Sequence, residues 1–242
     1  TVQAQFPALA TAARGVGSPQ LLAMGTVGGD LCQRPRCWYF RNGFGLFGKD
    51  GDTSLVRQGD NRYHAIFGNA GPALFVSASS LGPPLVALGA TFTVAGPGAR
   101  TRRLRAAEFF QTPATENDRE TALKPNEILA AILVPIKGLR NATYEVRHRQ
   151  GLDWPYVTAS VAFRVKDGVA SAARVVLGQV APVPWPVANA AEVLNGNAAN
   201  ADIALQCGAA AVQGAQPLSR NAYKVQLVKT AVQRAVLAAA GA

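Results

Sequence analysis

Hydrophobic and polar positions change rhythm near the middle of this 242-residue chain. In the second half, Val157, Ala159, Val161, Phe163 and Val165 alternate with Thr158, Ser160, Ala162 and Arg164. A period of two predicts a strand with one apolar and one largely polar face. Asp167-Gly168 is a preferred two-residue hairpin turn, so Val169 to Val180 is predicted to return as the partner strand. The period then lengthens to that of a helix. One helix is predicted over Val187 to Leu194, ending near Gly196, and a second over Asn200 to Gln213, stopped by Gly214. A third starts at Ser219 as N-cap and carries Val225, Val228, Val232, Ala235 and Ala239 on one stripe, with Lys224, Lys229 and Arg234 on the other face. Strands followed by helices predict an α+β unit whose helices cover one side of an antiparallel sheet.

The first half is glycine-rich and only weakly periodic. Phe6, Leu9, Ala10 and Ala13 predict a short helix from Phe6 to Gly15. Gly43, Gly45, Gly48, Gly51 and Gly59 make residues 42 to 60 a loop. Pro83-Pro84 precedes a short helix over Leu85 to Leu88, which leads into a strand over Thr91 to Val94. Ile128 to Val134 is a further strand candidate, stopped by Pro135.

Composition narrows the class. At 49% hydrophobic, the chain can bury a sizeable core, enough for one large domain or two small ones. No uninterrupted apolar run approaches the ~18 residues of a membrane span, and the sequence from Thr1 has no basic-then-apolar leader, so a soluble protein without a membrane span is expected. Three cysteines, Cys32, Cys37 and Cys207, are too few and too oddly spaced for a disulfide framework or a zinc cage. Lys and Arg total 24 against 14 Asp and Glu, a net charge of +10. The cations are scattered and no nucleic-acid module is present, so a solvated basic rim is favoured over a nucleic-acid partner.

One block stands out: Gly25-Thr26-Val27-Gly28-Gly29-Asp30-Leu31-Cys32-Gln33-Arg34-Pro35-Arg36-Cys37-Trp38-Tyr39-Phe40-Arg41. Paired glycines let a backbone approach a flat or anionic ligand where a Cβ would collide. This block resembles the flavin-binding subunits of the molybdenum hydroxylases, the xanthine dehydrogenase and aldehyde oxidoreductase group. The likeness continues in order through Asn61-Arg62-Tyr63-His64-Ala65-Ile66-Phe67, Leu85-Val86-Ala87-Leu88-Gly89-Ala90, Lys124-Pro125-Asn126-Glu127-Ile128-Leu129, Asp153-Trp154-Pro155, Val180 to Pro186 and Ser219 to Val225.

The resemblance implies an α+β fold in two parts. Residues 1–135 would be the second subdomain of an FAD-binding domain and residues 141–242 a C-terminal domain, an antiparallel sheet with a three-helix layer. It implies an oxidoreductase subunit in which FAD takes electrons from iron-sulfur clusters of a small partner subunit. Substrate, an aldehyde or N-heterocycle, would be oxidised at the molybdenum cofactor of a large partner subunit, and the flavin would pass electrons to an external acceptor. Gly25, Thr26, Gly28, Gly29, Asp30 and Gln33 would lie around the flavin ring and ribityl chain. Ser79 and Ser80 would lie near the ribityl or adenosine portion, Ile128 and Leu129 would pack the adenine, and Glu145 would sit at the ring edge. A bacterial protein, periplasmic rather than cytoplasmic, is implied.

Four departures qualify this picture. The N-terminal subdomain, whose glycine loop holds the FAD pyrophosphate in the family, has no counterpart after Thr1. Asp30 stands where Asn is common, Ser79-Ser80 where a Ser-Asp pair is common, and Glu145 where a Lys is common. The last exchange would disfavour an anionic flavin by ~1 to 4 kcal/mol, depending on burial. A structural subunit of the same kind of complex that no longer binds FAD is therefore the alternative. The cysteine-bearing insertion that holds an extra iron-sulfur cluster in some relatives is here the cysteine-free loop from Asn42 to Gly59. Four thiolates are needed, so no cluster is expected in this chain and Cys32 and Cys37 read as small buried hydrophobes. His64 reads as a structural hydrogen-bonder, and Trp154 and Trp185 as packing anchors, while the resemblance implies that Asp153-Trp154 border the flavin ring.

Overall fold

A computed structural model describes residues 1–149 and 153–241. The N-terminal half opens with short helices α1 (Val2–Gln5), α2 (Pro7–Arg14), α3 (Pro19–Met24), α4 (Val27–Leu31) and α5 (Trp38–Arg41). Local chemistry sets their starts. Pro19 occupies the first turn of α3, where its missing N–H costs nothing, and the Ser18 hydroxyl accepts from Leu21 N–H at 3.2 Å. Residues 42–60, predicted as a loop, also contain a two-residue hairpin, β1 (Lys49–Asp50) and β2 (Thr53–Ser54), and the single turn α6 (Leu55–Gln58). Glu116 fixes this segment by accepting from the N–H groups of Leu46 at 2.5 Å and Phe47 at 3.1 Å.

Helix α7 (Gly82–Leu88) ends at Gly89, whose φ of 70° is the left-handed C-terminal conformation that glycine adopts without strain. Three antiparallel strands follow, β3 (Thr91–Ala95), β4 (Thr101–Arg105) and, after helix α8 (Ala106–Phe109), β5 (Ile128–Leu133), in the order β4-β3-β5. Phe92 and Val94 are buried on the inner face, and Phe92 packs with Phe109 and Leu31 into a core that also takes in α7.

The C-terminal half is a second antiparallel sheet, β6 (Arg140–Val146), β7 (Val157–Lys166), β8 (Val169–Gly178) and the short β9 (Trp185–Pro186), paired in chain order. Asp167 and Gly168 both have positive φ, 52° and 80°, as a tight turn matched to strand twist requires. Helices α9 (Ala188–Leu194), α10 (Ala201–Ala210) and α11 (Tyr223–Ala240) layer on one face. Val161, Leu177, Leu194, Val228, Val232 and Val236 are all buried in the aliphatic core between sheet and helices.

Three expectations are corrected here. The face of β7 carrying Thr158, Ser160 and Ala162 is buried, because α7 packs on β7 and β8 and α2 on β6. Ser160 is accommodated there by a 2.8 Å hydrogen bond with the Thr143 hydroxyl. Ser219 does not cap α11, which starts at Tyr223; its hydroxyl instead accepts from the Asn61 amide at 2.9 Å. Lys224, placed by periodicity on the polar face of α11, is 1% exposed.

A polar seam joins the two halves. Asn221 accepts from Leu218 N–H at 2.6 Å and donates to the carbonyl of His64 at 3.1 Å, while Lys224 Nζ donates to the carbonyls of Tyr63, His64 and Gln179 at 3.0, 3.1 and 2.8 Å. Three carbonyls match the three donors of an ammonium, although burial lowers the Lys224 pKa to about 7.

Candidate flavin site

The glycine segment is not an open turn. Thr26 caps α4, its hydroxyl accepting from Gly29 N–H at 3.0 Å, and Gly28 and Gly29 form the first helical turn at the surface. A Cβ added to Gly28 would meet nothing within 4 Å, whereas one on Gly29 would lie 3.1 Å from the Thr26 hydroxyl. The space over Gly28 is therefore free for a flat ligand. Gly25 ends α3 in extended conformation, and a Cβ there would collide with the Leu21 carbonyl at 2.5 Å.

Asp30, Gln33, Ser79 and Ser80 are brought together. The Asp30 carboxylate accepts from the Ser79 hydroxyl at 2.6 Å, from the N–H groups of Ser80 at 3.2 Å and Leu81 at 3.0 Å, and from the Gln33 amide at 3.2 Å. Four donors on one side chain explain an acceptor-only carboxylate here, since an amide would turn its own donor toward some of them. Ser79 is saturated too, accepting from Gly82 N–H at 2.9 Å at the start of α7. These residues staple α4 to α7. The Ser80 hydroxyl, by contrast, is buried without a hydrogen-bond partner.

Glu145 lies on β6, close enough for the Asp30 charge to raise its pKa, although burial contributes more and Arg147 opposes both. Arg147 pairs with Glu145 Oε2 and donates to the carbonyls of Asp153 at 2.8 Å and Gly15 at 2.6 Å. The neighbouring guanidinium thus offsets the Glu145 anion. Glu145 Oε1 is buried and unpartnered. Ser80 Oγ and Glu145 Oε1 are thus two buried oxygens without hydrogen-bond partners. Ile128 and Leu129 sit apart at the start of β5: Ile128 is 66% exposed, and Leu129 is half-buried against the core that holds Leu31.

The signals around residues 37–64 resolve differently. Leu46 and Phe47 bury themselves with Ala73 and Phe75, and Cys37 and Phe40 pack against them. Cys37 Sγ lies 3.1 Å from His64 Nε2. Burial pushes the Cys37 thiol up, and burial beside Lys224 lowers His64 to about 4, so both are neutral at pH 7. His64 has structural bonds through its backbone, but its ring Nδ1 has no partner. Trp185 stacks on Phe67 at 5.8 Å, and Arg36 lies over Trp154 at 4.2 Å. Among the described residues, no three His, Cys, Asp or Glu side chains converge as metal ligands, and no helix is long and apolar enough to cross a membrane.

Comparison with known proteins agrees with this architecture. Residues 1–137 match the FAD binding domain in molybdopterin dehydrogenase, and residues 142–239 match the CO dehydrogenase flavoprotein C-terminal domain. The chain is 30% identical over 237 residues to the aldehyde oxidoreductase FAD-binding subunit PaoB of Escherichia coli (strain K12), covering 94% of this chain and 70% of that protein. The fold is similar to that in carbon monoxide dehydrogenase from Hydrogenophaga pseudoflava, with a TM-score of 0.69, 26% identity, and coverage of 98% of this chain and 68% of that one. It is also similar to quinoline 2-oxidoreductase from Pseudomonas putida 86, with a TM-score of 0.71, 21% identity, and coverage of 99% and 69%. With both halves matched by family models and 30% identity over 94% of the chain to an FAD-binding subunit, the chain belongs to the molybdenum hydroxylase oxidoreductases as an FAD-binding subunit.

Proposed function

We propose that this chain carries FAD as the electron-transfer subunit of a molybdenum-dependent oxidoreductase acting on aldehydes or N-heterocycles. Its partners are an iron-sulfur subunit and a molybdenum cofactor subunit, and an external acceptor takes the electrons. The observation that carries this reading is the open space over Gly28 at the start of α4, where a Cβ would meet nothing within 4 Å. Bound flavin would supply reversible two-electron and one-electron chemistry. The protein's part is binding and tuning. Gly25, Thr26, Gly28 and Gly29 line the approach, the Asp30 staple holds α4 rigid against α7, and Arg147 screens Glu145 at the ring edge. Ile128 and Leu129 are assigned to the adenine side. The two parts, residues 1–135 and 141–242, act together, since α2 and α7 rest on the second sheet. A bacterial periplasmic complex is expected, and cell fractionation checks it.

Gly28→Val is the test. A Cβ at this position meets no protein atom within 4 Å, so the fold and complex should survive while flavin absorbance per molybdenum falls at least tenfold. Unchanged flavin content would make the segment purely structural. A wild-type complex that holds molybdenum and iron but no flavin would instead favour the structural subunit, a reading supported by the internal use of Asp30, Gln33 and Ser79.

A further inference from the structure

A cavity of about 340 Å³ lies between the C-terminal end of α7, the start of α8 and the β8–β9 edge of the C-terminal sheet, and none of the residues assigned above to flavin lines it. Its walls are mostly aliphatic. Val86, Ala106, Val176, Pro186 and Val187 contribute them, and no acidic side chain lines the space. Arg105 stands exposed at the rim, with its guanidinium already paired to Glu108 at 2.5 Å.

Arg174, in the same lining, is the unusual residue. It follows Ala172, whose φ of +50° is left-handed without being glycine. There the pairing slips: Ala162 faces Arg174 and Arg164 faces Ser171, so Ala172 and Ala173 oppose Phe163 alone. This bulge shifts the alternation of β8 by one. Ala170, Ala173 and Val175 all pack into the helix-covered core, and Arg174 is turned with Val176 toward α7. Bulges re-aim side chains, and backbone strain of this kind concentrates where ligands bind. The guanidinium lies against Gly89, where a Cβ would stand 2.6 Å from Nη1. Yet it has no counter-charge. Among the described residues no carboxylate pairs with it, its terminal nitrogens donate to no protein acceptor, and Nε is buried without a partner. Burial and the Arg164 charge both lower its pKa, an effect that a bound anion would oppose.

We infer that this cavity binds a monocarboxylate with a compact apolar body, its carboxylate taken by the Arg174 guanidinium and its body by the aliphatic walls. Such binding does not depend on the flavin reading above. An unpaired guanidinium offers parallel N–H donors that match the two oxygens of a carboxylate. The walls select against other anions, since a phosphate or sulfate would press its remaining oxygens against aliphatic carbon with no donor to replace water. About 340 Å³ accommodates a body the size of benzene or naphthalene and is too small for a dinucleotide.

The probe is 2-naphthoate, titrated into the full chain and followed by its own fluorescence and by equilibrium dialysis. Saturable one-to-one binding is expected, at least tenfold weaker for the uncharged isostere 2-naphthamide. The acid should also bind at least tenfold more weakly to Arg174→Met, which keeps an apolar stem in place of the arginine's. Ala107→Glu, an exposed change in the cavity wall, should weaken binding about tenfold without touching the core. Because Arg174 is half-buried, raising the salt should weaken binding less than about threefold. The purified complex should show the same affinity. Absent or non-saturable binding, equal affinity for acid and amide, unchanged affinity in both folded variants, or loss of binding at high salt would each overturn the assignment, the last by reducing it to the general pull of a basic surface. Binding to the separate chain but not to the complex would overturn it too, by giving the cavity to a partner segment.

Discussion

The aliphatic core beneath α9–α11 and the polar seam that ties the N-terminal half to the same sheet are built on opposite plans. The core is mostly Val, Leu and Ala from residues 142–239, joined by Ile66 and Phe67 from the first half, and is packed without directional demands. The seam buries Asn61, Asn141, Asn221, Lys224 and Asp30, each held by partners distant in sequence. Apolar packing tolerates changes of shape and loses roughly in proportion to the volume removed, whereas a buried hydrogen-bond network loses the whole desolvation cost of whatever is left unpaired. The candidate site lies along the seam. Its geometry therefore depends on directional contacts, not on bulk burial.

The largest expected effects contrast the two plans directly. Leu177→Ala in the core should cost about 2–5 kcal/mol by opening a cavity. Asn221→Leu, which makes the protein more hydrophobic, should cost about 1–3 kcal/mol by stranding the Leu218 N–H, whose partner is the Asn221 amide oxygen. Urea unfolding of both variants measures this, and a stabilising Asn221→Leu would break the distinction between the two regions.

A second contrast is pH. His64, buried in the seam, has its pKa lowered from 6.5 to about 4 by burial and the nearby Lys224 charge. A base with a depressed folded pKa stays neutral in the fold while the unfolded chain takes up a proton. Stability is therefore lost as pH falls from about 6.5 toward 4. The loss attributable to His64 by pH ~4.5 is about 2–3 kcal/mol. Asp30 and Glu145, both raised by burial, act in the opposite sense, so the measurement is the difference in pH dependence between wild type and His64→Gln. Parallel curves would show that His64 does not carry the shift.

The same division explains what the sequence reveals. The β7–β8 hairpin with its Asp167-Gly168 turn, the three helices and the apolar stripe of α11 follow from local periodicity, because their partners are neighbours in the chain. Lys224 is misplaced by that logic. Its acceptors, the carbonyls of Tyr63, His64 and Gln179, lie on segments that periodicity cannot connect to α11. Ser219 looks like a cap, yet it serves Asn61 across 158 residues. Gly28 and Gly29 read as a turn because glycine weakens helices, but the Thr26 cap and the Asp30 staple supply what the glycines lack. A cavity lined by His64 and Trp154 has no sequence signal of its own, because the two read locally as a structural hydrogen-bonder and a packing anchor.

The smallest expected effect concerns the staple itself. Asp30→Asn replaces a carboxylate that accepts from Ser79, Ser80, Leu81 and Gln33. An amide can accept on one side only, so one or two of these donors are stranded. Against this, burial raises the Asp30 pKa, so its charged form carries a penalty that the neutral amide escapes. The two effects nearly offset at neutral pH, leaving a cost of about 1 kcal/mol. Because the folded pKa is raised, the wild-type penalty is present above it and fades as pH falls through it, while the asparagine variant has no such dependence. The stability gap between wild type and Asp30→Asn should therefore widen on acidification from pH ~7 toward the ordinary aspartate pKa. A gap that narrowed would mean that the hydrogen bonds hold the carboxylate charged more strongly than burial opposes it, making Asp30 a fixed anion beside the flavin site.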